Sequence, residues 1–132
     1  MSAELLLYLF PDRMAVCRLD AADPLPDWAG PGDLLAIIRT REELSVVCQE
    51  ADVPAGIKAE VGWRVLKVAG PLEFSMVGVL SSIAEPMAAA GVSIYTISTY
   101  DTDYILVKEN DLKTALDALW QAGHRVQEMV AK

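Results

Sequence analysis

Short apolar runs separated by Pro and Gly clusters fill the first half of the chain, and longer periodic segments fill the second. Leu5 to Phe10 is uniformly apolar and reads as a buried strand. Pro11-Asp12 supplies turn chemistry, because Pro presets φ and Asp tolerates the next position. Arg13 to Leu19 alternates, so the two segments together predict a hairpin. Asp20 to Asp33, with three prolines and two glycines, is a loop. Leu34 to Arg39 predicts a strand. Thr40-Arg41-Glu42-Glu43 matches a capping box, in which Thr40 caps and Glu43 reaches back, and predicts a brief helix. Ser45 to Cys48 returns to β-branched strand chemistry. Ala51 to Gly62 is a second loop, where the boundary between halves is placed.

The second half is more regular. Trp63 to Val68 predicts a strand ended by Gly70-Pro71. Met76, Val77, Leu80, Ile83, Ala84 and Met87 recur at helical spacing, with Ser75 as N-cap, Gly91 as stop and Pro86 as an interior defect expected to kink the helix. Val92 to Thr99 and Tyr104 to Val107 form a hairpin around Tyr100-Asp101-Thr102. Asp111 caps a helix with a Leu112, Ala115, Leu116, Leu119 stripe, ended by Gly123, and Arg125 to Met129 is a last strand. Strand, helix, strand, strand, helix, strand is the order of an α+β split βαβ fold, with two helices on one face of a four-stranded antiparallel sheet. The expected organisation is residues 1–60 as one half and 61–132 as the other.

Composition narrows the function classes. With 53% apolar residues the chain can bury a core, and with a net charge of -8 its surface repels phosphate backbones and anionic membranes, so neither nucleic acid nor membrane is an expected partner. Leu5 to Phe10 is too short for a span and lacks a basic start, so a cytoplasmic protein is expected. Cys17 and Cys48 follow no metal or redox spacing and read as buried reduced thiols. His124, the only histidine, excludes a multi-histidine metal site within the chain and reads as a helix-terminal or solvent-exposed residue. No phosphate-binding loop, dinucleotide fingerprint or nucleophile elbow is present. Asp101 and Asp103 flank a turn and offer too few oxygens for a cation site. Met76, Met87 and the tryptophans read as core or interface, with Trp120 buried against the sheet or a partner. No cofactor, metal or catalytic residue is expected.

The run from Gly70 to Gly78 (GPLEFSMVG), followed by Gly91 to Val107 (GVSIYTISTYDTDYILV), resembles the ACT domain family. It is similar to tandem-ACT proteins related to the regulatory part of aspartate kinase and to CASTOR-type arginine sensors. The resemblance covers roughly Val61 to Val130. It implies a ferredoxin-like βαββαβ unit in the C-terminal half and, through residues 40–48, a reduced ACT-like N-terminal half. It also implies that ACT units pair and bind an amino acid where they meet. The ligand-binding residues carried over are Glu73, Phe74, Ser75, Met76, Val77 and Gly78 from the loop and helix start, with Thr99, Tyr100 and Asp103 from the hairpin. The expected function is a non-catalytic regulatory module that binds a small amino acid. The alternative is a structural or protein-interaction module that has the fold and no ligand. A homodimer is expected, since the apolar strands 5–10 and 92–99 need cover.

Overall fold

A computed structural model of the chain describes residues 4–70 and 77–130. By contacts the chain divides into two compact units, one made of Asp12–Trp63 and the other of Met1–Pro11 with Arg64–Lys132.

Strands build the first unit because its apolar residues are β-branched and alternate. β2 (Met14–Leu19), β3 (Ala36–Arg39) and β4 (Leu44–Gln49) form an antiparallel sheet in the order β3-β4-β2, and the first half of β5 (Lys58–Val68) pairs with the other edge of β2. β5 starts earlier than the alternation predicts, within the segment read as loop. It passes through Gly62, whose φ of 78° lies in the left-handed region. Between Met14 and Val16 the β2–β5 register slips, so β5 carries an extra residue there. Gly62 is the residue that accommodates a bulge of this kind, and its N–H donates to Glu50 Oε1 at 2.7 Å.

The capping-box expectation is overturned. Thr40 to Glu43 is the tight turn of the β3–β4 hairpin: Thr40 N–H donates to the Glu43 carbonyl at 2.8 Å, and Thr40 Oγ1 accepts from the N–H groups of Glu42 and Glu43. Glu43 does not reach back; its carboxylate accepts from the Ser45 hydroxyl. The Ile37-Ile38 and Val46-Val47 runs on either side extend the strands up to the turn, and no helix is nucleated.

The core of this unit contains Ala15, Cys17, Leu44, Val46 and Cys48, with Trp28, Val53 and Ile57 against it. Cys17 and Cys48 are free and buried. Desolvation raises both thiols, and Cys48 is pushed up to about 12, with the neighbouring Cys17 adding to the shift. A thiol whose folded pKa exceeds its unfolded value, here 9.0, keeps its full stabilising effect below that value. The unfolded chain alone loses the proton as pH rises further. Stability is therefore expected to fall between pH 9.0 and about 12. Urea melts over this range, compared with a Cys48→Ala variant that flattens the decline, check it; an equal decline in the variant would assign the loss to other groups.

The second unit has the expected ferredoxin-like order: the second half of β5, α1 (Val79–Ala89), β6 (Ile94–Ser98), β7 (Asp103–Lys108), α2 (Leu112–Gln121) and β8 (Arg125–Glu128). Its sheet runs β6-β7-β5-β1-β8, because β1 (Leu6–Leu9) enters between the first and last strands of the repeat. β1 is antiparallel to β5 and parallel to β8. The expected β1–β2 hairpin is absent, and the four-stranded sheet has become five-stranded. β1 is thus paired on both sides and needs no cover from a partner; β6 is an edge of this unit.

Ile83 and Met87 of α1 and Ala115 and Leu119 of α2 join Leu5, Leu7, Leu9, Leu66, Val68, Val92, Ile105 and Val107 in one core. Ser75 lies outside the described residues, and α1 begins after Gly78, which occupies the N-cap position at φ 83° with no side-chain cap bond. Asp111 stands at the N-cap of α2, also without a side-chain bond. Trp120 is 64% exposed, against the expected burial. On that helix, Leu119 faces the core and turns its neighbour outward, where Arg125 stacks on the indole at 4.5 Å.

Candidate functional site

The β6–β7 hairpin is closed by a threonine in the same manner as the β3–β4 hairpin. Thr99 N–H donates to the Thr102 carbonyl at 2.8 Å, and Thr102 N–H donates to Thr99 Oγ1 at 3.3 Å. Tyr100 and Asp101 form the two-residue loop, and Tyr100 is 80% exposed. Thr102 is buried, and its hydroxyl donates to the carbonyl of Val68 at 2.7 Å, which ties the hairpin tip to the end of β5. Asp103 stands opposite Ser98 in the ladder and accepts its hydroxyl at 2.6 Å.

Beside this tip lies a cleft of about 330 Å³ lined by Tyr8, Lys67, Gly70, Asp101 and Thr102. Tyr8 and Lys67 are direct cross-strand neighbours on β1 and β5. Their chain neighbours Leu7, Leu66 and Val68 belong to the core beneath the helices. Strand alternation therefore sends Tyr8 and Lys67 to the opposite face of the sheet. The Lys67 ammonium lies 5.9 Å from the centroid of the Tyr104 ring.

Of the residues singled out from the sequence, Glu73, Phe74, Ser75 and Met76 lie outside the described residues. Val77 is 95% exposed, and Gly78 starts α1 in the left-handed conformation. Thr99 and Tyr100 shape the hairpin, and Asp103 is bound to Ser98. The cleft itself is lined by Asp101 and Thr102, together with Tyr8 and Lys67, which sequence reasoning did not select. Lys67 had a signal, as a charged residue set between the apolar Leu66 and Val68. Tyr8 had none, because its strand was assigned to a different partner.

A second groove of about 470 Å³, lined by Leu116, Asp117, Trp120, His124, Val126 and Glu128, opens beside α2 and β8. His124 is 1% exposed, so it is not the solvent-facing residue expected; it stands at the end of α2, where its N–H donates to the Leu119 carbonyl at 2.9 Å. Its Nδ1 accepts from Leu5 N–H at 3.1 Å, so Nε2 carries the proton and donates to the Ser82 carbonyl at 3.0 Å. Both ring nitrogens are thereby committed to backbone groups, and the imidazole is structural. Among the described residues, no group of three His, Cys, Asp or Glu is placed to hold a metal ion, and no helix is long and apolar enough to cross a membrane.

The ACT domain pattern matches residues 58–121, which contain both helices, the β6–β7 hairpin and one wall of the cleft, and that of a separate N-terminal domain matches residues 12–56. A crystallised protein of Agobacterium tumefaciens is 32% identical, with a TM-score of 0.93 over 98% of this chain and 97% of its own. The chain belongs to the ACT domain family. The rat protein named cytosolic arginine sensor for mTORC1 subunit 1 is 41% identical over 58 residues, which are 43% of this chain and 18% of the sensor's length. The chain thus spans a minor part of that relative. The ligand-free regulatory subunit of aspartate kinase from Thermus thermophilus shares the fold, with a TM-score of 0.55 at 15% identity over 88% of this chain and 95% of its own. β1 lies outside the matched residues 58–121; the βαββαβ order of the ACT domain is kept, and β1 widens its sheet.

Proposed function

We propose that this ACT protein is a non-catalytic, cytoplasmic regulatory module that binds a small amino acid where two ACT units meet, as a homodimer. The relatives named as an arginine sensor and as a kinase regulatory subunit support a sensing role. The observation that carries the reading is the cleft at the hairpin tip. It has the size of a small-molecule site, about 300–1,000 Å³ being typical. The most exposed apolar side chains of this unit include Tyr100, in that hairpin, and Val77, at the start of α1. A second ACT unit closing over this end would cover them. In this arrangement the 73–78 segment, Thr99 and Tyr100 surround the ligand, and Asp103 holds the hairpin through its bond to Ser98.

Thermal denaturation with each of the twenty amino acids tests the proposal. An amino acid at a hundred times its dissociation constant is expected to add about 2.7 kcal/mol of stability. Sedimentation of the same samples is expected to show a dimer. A flat response across the panel would favour the protein-interaction module with no ligand.

A further inference from the structure

From the charges of the cleft we infer the class of ligand it takes: an α-amino acid with an uncharged side chain, its carboxylate on Lys67 and its ammonium on Asp101. This rests on the proposal that the protein binds an amino acid, and goes beyond it by naming the charge partners and the side-chain class.

Among the described residues the lining holds one cation and one anion, Lys67 and Asp101, with Tyr8, Gly70 and Thr102 uncharged. Among the described residues neither charge has an ion-pair partner. Of the other acidic side chains at this end, Asp103 accepts from Ser98 and is outside the lining. Lys67 does not extend freely into water. Tyr8 stands directly across the strand, and the Tyr104 ring lies 5.9 Å from the ammonium. Asp101 is carried by a loop fixed at both ends, through the Thr99–Thr102 bonds and through Thr102 to Val68. One positive and one negative group, each on an anchored element and facing one cavity, complement a zwitterion. Arginine or lysine would bring a second cation with no second carboxylate among the described lining residues. Glutamate or aspartate would bring a second anion with no second cation among those residues. Each extra charge would lose hydration without gaining a partner. Tyr8 leaves an apolar wall for the side chain.

Calorimetric titration of the full chain with each of the twenty L-amino acids, repeated on Lys67→Gln and Asp101→Asn, tests this. The tightest binder is expected to have an uncharged side chain. Each substitution removes one charge-assisted contact, so each is expected to weaken that amino acid by about 10-fold or more. The carboxamide of the same amino acid lacks the carboxylate charge and is expected to bind the parent protein and Lys67→Gln equally. Lys67 and Asp101 are not core residues, and matching melting curves establish that both variants fold. Strongest binding by a charged amino acid, or an unchanged dissociation constant in either variant, overturns the inference while leaving an amino-acid sensor. Absence of binding by all twenty removes both.

Discussion

Replacing His124 with alanine is expected to destabilise the second unit by roughly 3 kcal/mol, because one buried and one half-buried backbone group lose their partner at once. The cause lies in Pro86. A proline has no N–H, so the carbonyl of Ser82, four residues earlier in α1, has no helical donor from that position. His124 Nε2–H occupies the carbonyl instead, and Nδ1 accepts from Leu5 N–H ahead of β1. The ring is held from behind as well, since His124 N–H donates to the Leu119 carbonyl at the end of α2. One side chain thus joins three elements and repairs the defect that the proline makes. The coupling can be measured by a double-mutant cycle. In Pro86→Ala the new N–H can bond Ser82, so the cost of His124→Ala should drop by about 1 kcal/mol, the net worth of a hydrogen bond. Urea denaturation of the four proteins gives the coupling. Strict additivity would mean that the imidazole does not substitute for the missing helical bond.

The same pair shows how much of this arrangement is legible in the sequence. Pro86 was visible as a helix defect, and Gly123 as the stop before His124. Their relation was not, since the residues are far apart in sequence and nothing local marks histidine as the missing donor. Thr40 and Thr99 make a similar point at closer range. A threonine hydroxyl that accepts N–H groups two or three residues on serves a helix start and a tight hairpin equally well. At Thr99 the strand character on both sides was obvious, and the turn was recognised. At Thr40 the two glutamates imitated a capping box, and the helix was wrongly expected. The periodic segments of the ACT repeat were legible because each carries its own core stripe. Of the cleft, the hairpin was legible and the β1–β5 wall was not. That wall depends on which strand β1 pairs with, and a uniformly apolar strand carries no alternation to specify its neighbour.

The placement of β1 carries the other large expected effect. Leu7 is fully buried at the centre of the second unit's core, whereas Leu6 beside it is 37% exposed. Leu7→Ala is expected to cost about 3 kcal/mol and Leu6→Ala less than 1 kcal/mol, since only the first opens a cavity. For a domain whose total stability is about 5–15 kcal/mol, the first loss is severe. Its location distinguishes this topology from the hairpin that local sequence suggests. β1 is bonded to β5 through Phe10 N–H to the Val65 carbonyl and Ala69 N–H to the Leu6 carbonyl. It is bonded to β8 through Arg125 N–H to the Leu5 carbonyl and Met129 N–H to the Leu9 carbonyl. Weakening β1 must therefore loosen the C-terminal ACT repeat on both sides. Native-state hydrogen exchange of Leu7→Ala is expected to show faster exchange at Arg125, Met129 and Ala69, with Cys17 and Val47 in the β2–β4 ladder little changed. A hairpin of β1 with β2 would reverse that pattern, with β2 losing protection and β8 keeping it. That result would return the strand to the N-terminal half and leave the cleft without its Tyr8 wall.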